Sequence, residues 1–528
     1  MRYQTFSQNR WLFPDTEISG PLRPVSLALL RGNSGGFQLL VRDLCPEAPI
    51  TWSAQDMDGV QVQAFREKEV RVNRNTNAYQ SGKLTTDRWE DIAGDRVRQA
   101  PYRVFDPLEE LEGQTVTGET EAFYFTFRPT ADGAPGVRNA LLHITFGKET
   151  LSLPIRLEVW DGDLPAESLW LTNWFSVSNM ARDHHLPPST PEHRDMIRKY
   201  AASMRECHQN IFRITWEELG ATREGGTVRF DFSKIKQRVH LFLEYGFSRI
   251  EWAPVIFRPT WEDPPFQIAD RTAGNTPLEC LSTRGRKYLT AFLEQFNGFL
   301  TENGWQDISL VHISDEPKER CAADFRALAG IFRKYLPGVK LIDAVEIYFI
   351  QDALDIYVPK NHYYQLNRND FEDLRDARNE LWFYTCNMPG GHYLNRFLDS
   401  PLLNTRLLHW GNYKYHLTGY LHWGYNQTRD GQDPFEETSA SEGLPAGDCN
   451  IVYPGPHGPL RSLRYEQMKA GVEDYELLRA LSQTDRTVAD RLCRQAFRSF
   501  DDYITDPETF DRLHDELVRE VAKKIKKD

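Results

Sequence analysis

Residues 1 to about 162 alternate between apolar and polar with a period of two. Val60-Gln61-Val62-Gln63-Ala64-Phe65, Glu121 to Phe127, Leu141 to Phe146 and Leu151 to Trp160 each keep their apolar side chains on one face, and turn signals such as Gly35-Gly36 and Asp132-Gly133 separate them. This pattern predicts a β-sandwich. From Leu169 it gives way to short apolar runs followed by amphipathic stretches. The runs Leu169 to Phe175, Ile211 to Trp216, Ser248 to Val255, Ile308 to Asp315, Lys340 to Glu346, Asp355 to Val358, Glu380 to Cys386 and Thr418 to Tyr425 read as strands. Helical spacing is clearest at Pro191 to Cys207, Phe232 to Glu244, Arg284 to Leu300 and Ala322 to Tyr335. Eight strands in βα alternation over about 260 residues fit a (β/α)8 TIM-like barrel, with the sixth strand interrupted by Pro359. A Gly/Pro-rich loop, Pro445 to Pro459, and three charged amphipathic helices from about Leu460 follow. The predicted units are an N-terminal β-sandwich (1–162), a catalytic barrel (163–445) and a C-terminal loop with helices packed on the barrel (446–528).

Charge and cysteine usage narrow the function. With 63 basic and 76 acidic residues the net charge is −13, spread along the chain apart from a basic end at Lys523 to Lys527, which argues against a nucleic-acid or anionic-membrane partner. The seven cysteines are scattered, odd in number and never at metal-ligand spacing, so a reducing compartment fits best. Met1 to Asn9 lacks an apolar core behind positive charge, and no run approaches the roughly 20 apolar residues of a membrane span. The expectation is a cytoplasmic protein without membrane insertion or cofactor, with a homo-oligomer left open. Aromatic residues make up 12% of the chain, and flat rings are what proteins stack against the apolar faces of sugars.

Candidate chemistry gathers at predicted strand ends. The fourth strand closes on His312-Ile313-Ser314-Asp315-Glu316-Pro317, placing two adjacent carboxylates where barrel enzymes carry their chemistry. Crowded carboxylates cannot both ionise freely, which suits one to acid work near neutrality. The plainer reading of Asp-Glu-Pro is a helix opening, with Asp as cap. His312, Ser314 and Glu316 share one strand face, so Asp315 reaches the same ligand only if the pleat ends there. His312 reads either as a hydrogen-bonded buried strand residue or as a support for Glu316. Glu251-Trp252, Trp382 to Asn387 and His422 to Asn426 put further rings and polar groups at strand ends, as a carbohydrate cleft requires. No phosphate loop and no Gly-x-Ser-x-Gly elbow is present, and His184-His185 and His362 lack partners at metal spacing.

From about Leu157 onward the chain resembles glycoside hydrolase family 123, the β-N-acetylgalactosaminidases, and the related bacterial group sharing that catalytic domain. The resemblance rests on Leu157-Glu158-Val159-Trp160-Asp161 to Leu164-Pro165, Ser314-Asp315-Glu316-Pro317, Trp382-Phe383-Tyr384-Thr385-Cys386 and Leu421-His422-Trp423-Gly424-Tyr425-Asn426. Tyr453-Pro454-Gly455 to Ser462-Leu463-Arg464, with Gly471-Val472-Glu473-Asp474-Tyr475-Glu476, completes it. It implies retaining, substrate-assisted cleavage of a terminal sugar from an oligosaccharide or glycoconjugate, the sugar's own acetamido oxygen acting as nucleophile. In that scheme Glu316 is the general acid and base, and Asp315 holds the acetamido N–H. Tyr384, or failing it Tyr364, donates to the acetamido oxygen. Trp382 and Trp423 wall the pocket, with Trp252, His312, Tyr425 and Asn426 as further substrate-binding candidates. Arg461 to Glu476 is charged and helical, and its role reads as structural, bracing the barrel through Arg–carboxylate pairs. Three alternatives stand beside it: another β-N-acetylhexosaminidase, a glycosidase pairing Glu316 with Glu251 or Glu346, and a carbohydrate-binding barrel without catalysis.

Overall fold

The computed structural model describes residues 1–19, 24–76, 96–260, 265–376, 379–441 and 443–525. Eight short parallel strands organise the middle of the chain: Trp170–Asn173, Ile211–Ile214, Arg249–Trp252, Ser309–His312, Lys340–Val345, Ile356–Pro359, Glu380–Leu381 with Phe383–Thr385, and Gly419–His422. Each run read from the sequence carries one of them. The second to the sixth strand and Glu380–Leu381 form one parallel ladder. The first strand, the eighth and Phe383–Thr385 form another. The seventh strand joins the two ladders, because it is broken only at Trp382, whose amide donates to the Tyr357 carbonyl of the sixth strand.

Between the first and second strands no backbone pairing occurs among the described residues. The Asn210 side chain stands in for it, accepting from the Leu171 amide at 3.0 Å and donating to the Leu169 carbonyl at 2.8 Å. One amide group thus supplies the donor and acceptor a neighbouring strand would supply.

Helices Pro191–Glu206, Ser233–Glu244, Thr283–Asn303 and Ala322–Tyr335 fall where the apolar spacing puts them. Thr190 and Ser282 cap the first and third of these through their hydroxyls, and Gly304 ends the third in the left-handed conformation at φ 68°. The alternation lapses once, since no helix joins the fifth and sixth strands. Pro359 closes the sixth strand rather than breaking it, at an end where its missing N–H costs no ladder bond.

In the N-terminal region a seven-stranded and a four-stranded sheet share one apolar cluster, built from alternate residues such as Phe123, Phe125 and Phe127 on one sheet and Leu153, Ile155 and Leu157 on the other. The Pro445 to Pro459 segment is not only loop. Tyr453–Pro454 pairs with Pro459–Ser462, which adds in turn to Tyr102–Glu110 of the larger sheet. Helices Leu463–Ala496, kinked at Asp485, and Pro507–Ile525 end the described chain. The result is a mixed β and α/β multidomain protein with a helical C-terminal end. No helix among the described residues is long and apolar enough to cross a membrane.

The charged residues in the first half of the Leu463–Ala496 helix, from Arg464 to Glu476, are buried, not solvated. Arg464 donates to Asp106 at 2.9 and 3.0 Å, Arg406 grips Asp474 at 2.7 and 2.8 Å, and Glu473 accepts from Asn33 and Ser34. Two of these three partner sets belong to the N-terminal region, Asp106 on a strand and Asn33-Ser34 in the turn between Val25–Arg31 and Gly35–Arg42, so the helix ties that region to the parallel strands.

Candidate active site

Beyond the C-terminal ends of the fourth to eighth strands lies a cavity of about 600 Å³, within the range of small-ligand sites. Asp315 and Glu316 both line it. The fourth strand stops at His312, and Glu316 sits in the left-handed region at φ 42°. That conformation is uncommon for a residue with a Cβ, and it is the break in the pleat that lets both carboxylates reach one space. Arg258 holds the turn, its guanidinium donating to the Asp315 and Glu316 carbonyls at 2.8 and 3.0 Å. The helix-cap reading of Asp315 does not hold, because the next α-helix begins only at Ala322.

The Tyr384 hydroxyl donates to Glu316 Oε1, and the Lys360 ammonium lies 3.2 Å from the same oxygen. Lys360 and Lys318 each pair with one oxygen of Glu346. Burial and the neighbouring Glu316 and Asp343 carboxylates push the Asp315 pKa up to about 7, against the opposing pull of His312 and Arg213. Burial and the Glu316 charge hold the Tyr384 phenol well above its ordinary value, so it stays a donor. Trp174 and Trp423 form indole walls of the cavity, Trp423 donating to buried Asp448 at 3.1 Å.

Several residues expected at the cleft lie elsewhere. Trp382 shares a strand face with Tyr384 and Cys386 but sits one layer deeper, its fully buried ring covering Gly419, where any Cβ would fall 2.3 Å from the indole. Trp252 points to the opposite face from Glu251 and stacks on Trp216 under the Thr283–Asn303 helix. Tyr364 is buried, donating to Glu372, and Tyr425 packs on Phe175 and Tyr200 with its hydroxyl on Ser203. Asn426 clamps the Ser176 backbone at 2.8 and 2.9 Å. His312 is buried beneath the carboxylates, between Asp343 and Glu251. Conversely, the sequence reading passed over Trp174 and Lys360. Trp174 was visible in the aromatic pair Trp174-Phe175 that ends the first apolar run, and Lys360 lay hidden behind Pro359.

A sugar-sized cavity walled by indoles, with adjacent carboxylates at a strand end, is the equipment of a carbohydrate-cleaving enzyme, and residues 174–481 match the catalytic domain of glycoside hydrolase 123. The protein is therefore a glycoside hydrolase. The chain belongs to family 123. Its fold is similar to that of a family 123 glycoside hydrolase from Clostridium perfringens studied for glycolipid glycan hydrolysis, with a TM-score of 0.76 at 14% identity over 99% of this chain and 97% of that one. A β-galactosidase from Marinomonas ef1 (TM-score 0.37, 10% identity, 62% of each chain) and β-glucuronidase 3 of Bacteroides uniformis (0.33, 10%, 84% of this chain and 51% of that one) overlap far less and bear on nothing below. No curated protein matches the chain in sequence.

Proposed function

We propose that the protein is a retaining exo-β-N-acetylgalactosaminidase in which the substrate's acetamido oxygen attacks the anomeric carbon. The observation that carries this is the broken pleat at Glu316, which sets two neighbouring carboxylates on one side of one cavity. A two-carboxylate retaining enzyme needs its partners about 5 to 5.5 Å apart across the sugar. Of the carboxylates on other strands, Glu251 is fully buried and spent on His312, Trp174 and Thr172, and Glu346 is neutralised by Lys318 and Lys360.

Glu316 protonates the leaving oxygen and later deprotonates water. Tyr384 and Lys360 both face Oε1, which leaves Oε2 to carry the proton. Asp315, when ionised, accepts the acetamido N–H and offsets the positive charge of the oxazolinium intermediate. Tyr384, which lines the same cavity, donates its hydroxyl to the acetamido oxygen, and Trp174 and Trp423 hold the ring. Glycolipid glycan hydrolysis by the Clostridium perfringens relative supports a glycoconjugate substrate. The same reading takes the parallel strands as a (β/α)8 barrel interrupted at Asn210, spanning about residues 163–445, the N-terminal sheets as a β-sandwich over 1–162, and residues 446–528 as the unit bracing both.

Aryl β-glycosides with and without the acetamido group test this, with proton NMR of the first-formed sugar. Cleavage of the N-acetylgalactosaminide alone, β product before mutarotation and tight inhibition by the corresponding thiazoline are expected. Cleavage of the plain galactoside alone, or α product, would sink the reading.

A further inference from the structure

The catalytic turn and the Trp174 wall are the two ends of one buried chain of hydrogen bonds. Asp343, on the fifth strand, accepts the Ile313 and Ser314 amides through Oδ2 at 3.2 and 3.1 Å, fixing the two residues that lead into Asp315. Its Oδ1 lies 3.0 Å from His312 Nδ1, and His312 Nε2 lies 2.8 Å from Glu251 Oε1 on the third strand. The same Glu251 oxygen accepts from Trp174 Nε1 at 2.7 Å, while Oε2 accepts the Thr172 hydroxyl. Arg213 covers the indole face at 4.1 Å, and the His312 ring meets its edge at 6.0 Å.

Thr172, Glu251, His312 and Asp343 are at most 1% exposed. Burying charged groups is costly, and apolar residues of similar size hold a core at least as well. A chain this costly is poorly explained by stability. Geometry is the better account, since its ends meet a cavity wall and the catalytic turn.

We infer that Asp343, His312 and Glu251 are positioning residues for catalysis, Asp343 setting the turn that presents Asp315 and Glu316, and Glu251 setting the Trp174 indole through its N–H. This rests on Asp315 and Glu316 being the reacting pair. Burial works against a charged His312, but its bonds to Asp343 and Glu251 raise it to about 9, so the ring is an imidazolium at neutral pH, donating from both nitrogens. The groups that act on Asp315 are then the carboxyls of Glu316 and Asp343, which raise its pKa, and His312 and Arg213, which lower it.

The test is kcat/KM against pH on para-nitrophenyl N-acetyl-β-galactosaminide, beside a thermal melt, for His312→Gln, Asp343→Asn, Trp174→Phe, Glu251→Leu and the last two combined. Removing the His312 charge moves the acidic limb up by roughly 0.5 to 1 pH unit, and removing that of Asp343 moves it down by about as much. Trp174→Phe, which loses the N–H, raises KM about 3- to 10-fold without moving the limb. Combined with Glu251→Leu it raises KM no further than the larger single effect, because both remove the Trp174 N–H contact. Rates that fall in step with the melting temperature while the limb stays put, or KM losses that multiply in the double variant, overturn the inference. Should Asp343→Asn fail to fold, the limb in His312→Gln and the Trp174/Glu251 pair decide it. Failure of the underlying reading shows separately, as Asp315→Asn turning over like the parent on this substrate.

Discussion

At the scale of single residues, the two carboxylates separate by their response to leaving group and pH. Glu316→Gln should lower turnover by several orders of magnitude on natural glycosides and far less on aryl glycosides whose phenol leaves unaided; an equal loss across leaving groups would contradict an acid role. Asp315→Asn should slow both kinds of substrate. The Asp315 pKa of about 7 in the folded protein exceeds the 3.8 of a free Asp. The proton it holds therefore contributes stability that is complete below about pH 4 and is lost as the pH rises through about 7. Above that, an ionised Asp315 burdens the fold, so Asp315→Asn should melt higher than the parent at pH 8 and not at pH 4, a gain on the order of 1–3 kcal/mol. The same titration gives the parent kcat/KM an acidic limb near pH 7. The pair itself was legible in the sequence, because adjacent carboxylates after an apolar run mark a strand end. The rings were not. Alternation tells Glu251 from Trp252 by face, yet it is silent on depth, and Trp382 and Tyr384 share a face while only Tyr384 reaches the cavity.

At the scale of elements, the Leu463–Ala496 helix was recognisable as charged and helical, and its Arg–carboxylate role was anticipated. Its partners were not, since Asp106 stands hundreds of residues away and no local pattern announces a contact of that range. Arg464→Ala leaves Asp106 buried and unpaired beside Tyr453, which costs about 3–5 kcal/mol. Urea melts should show that loss, and because the helix holds both the sheets and the strands, tryptophan fluorescence and far-ultraviolet circular dichroism should still report one coincident transition. Two separated transitions would mean that the helix does not couple the regions. The strands themselves were legible for the opposite reason, as each is a local run of apolar residues between turn signals.

At the scale of the whole molecule, the order of the eight strands followed from chain order, but the gap between first and second did not, because one asparagine among many gave no sign of replacing a ladder. That substitution concentrates in a single side chain a job other strands share among several peptide groups. A chemical edit of one atom then becomes a structural event. Asn210→Asp keeps the shape and the acceptor for Leu171 but puts an oxygen where the Leu169 carbonyl requires a donor. Such a mismatch in a buried place costs about 1–3 kcal/mol or more, and amide hydrogen exchange should speed first at Leu171; uniform exchange across all eight strands would mean the gap carries no weakness.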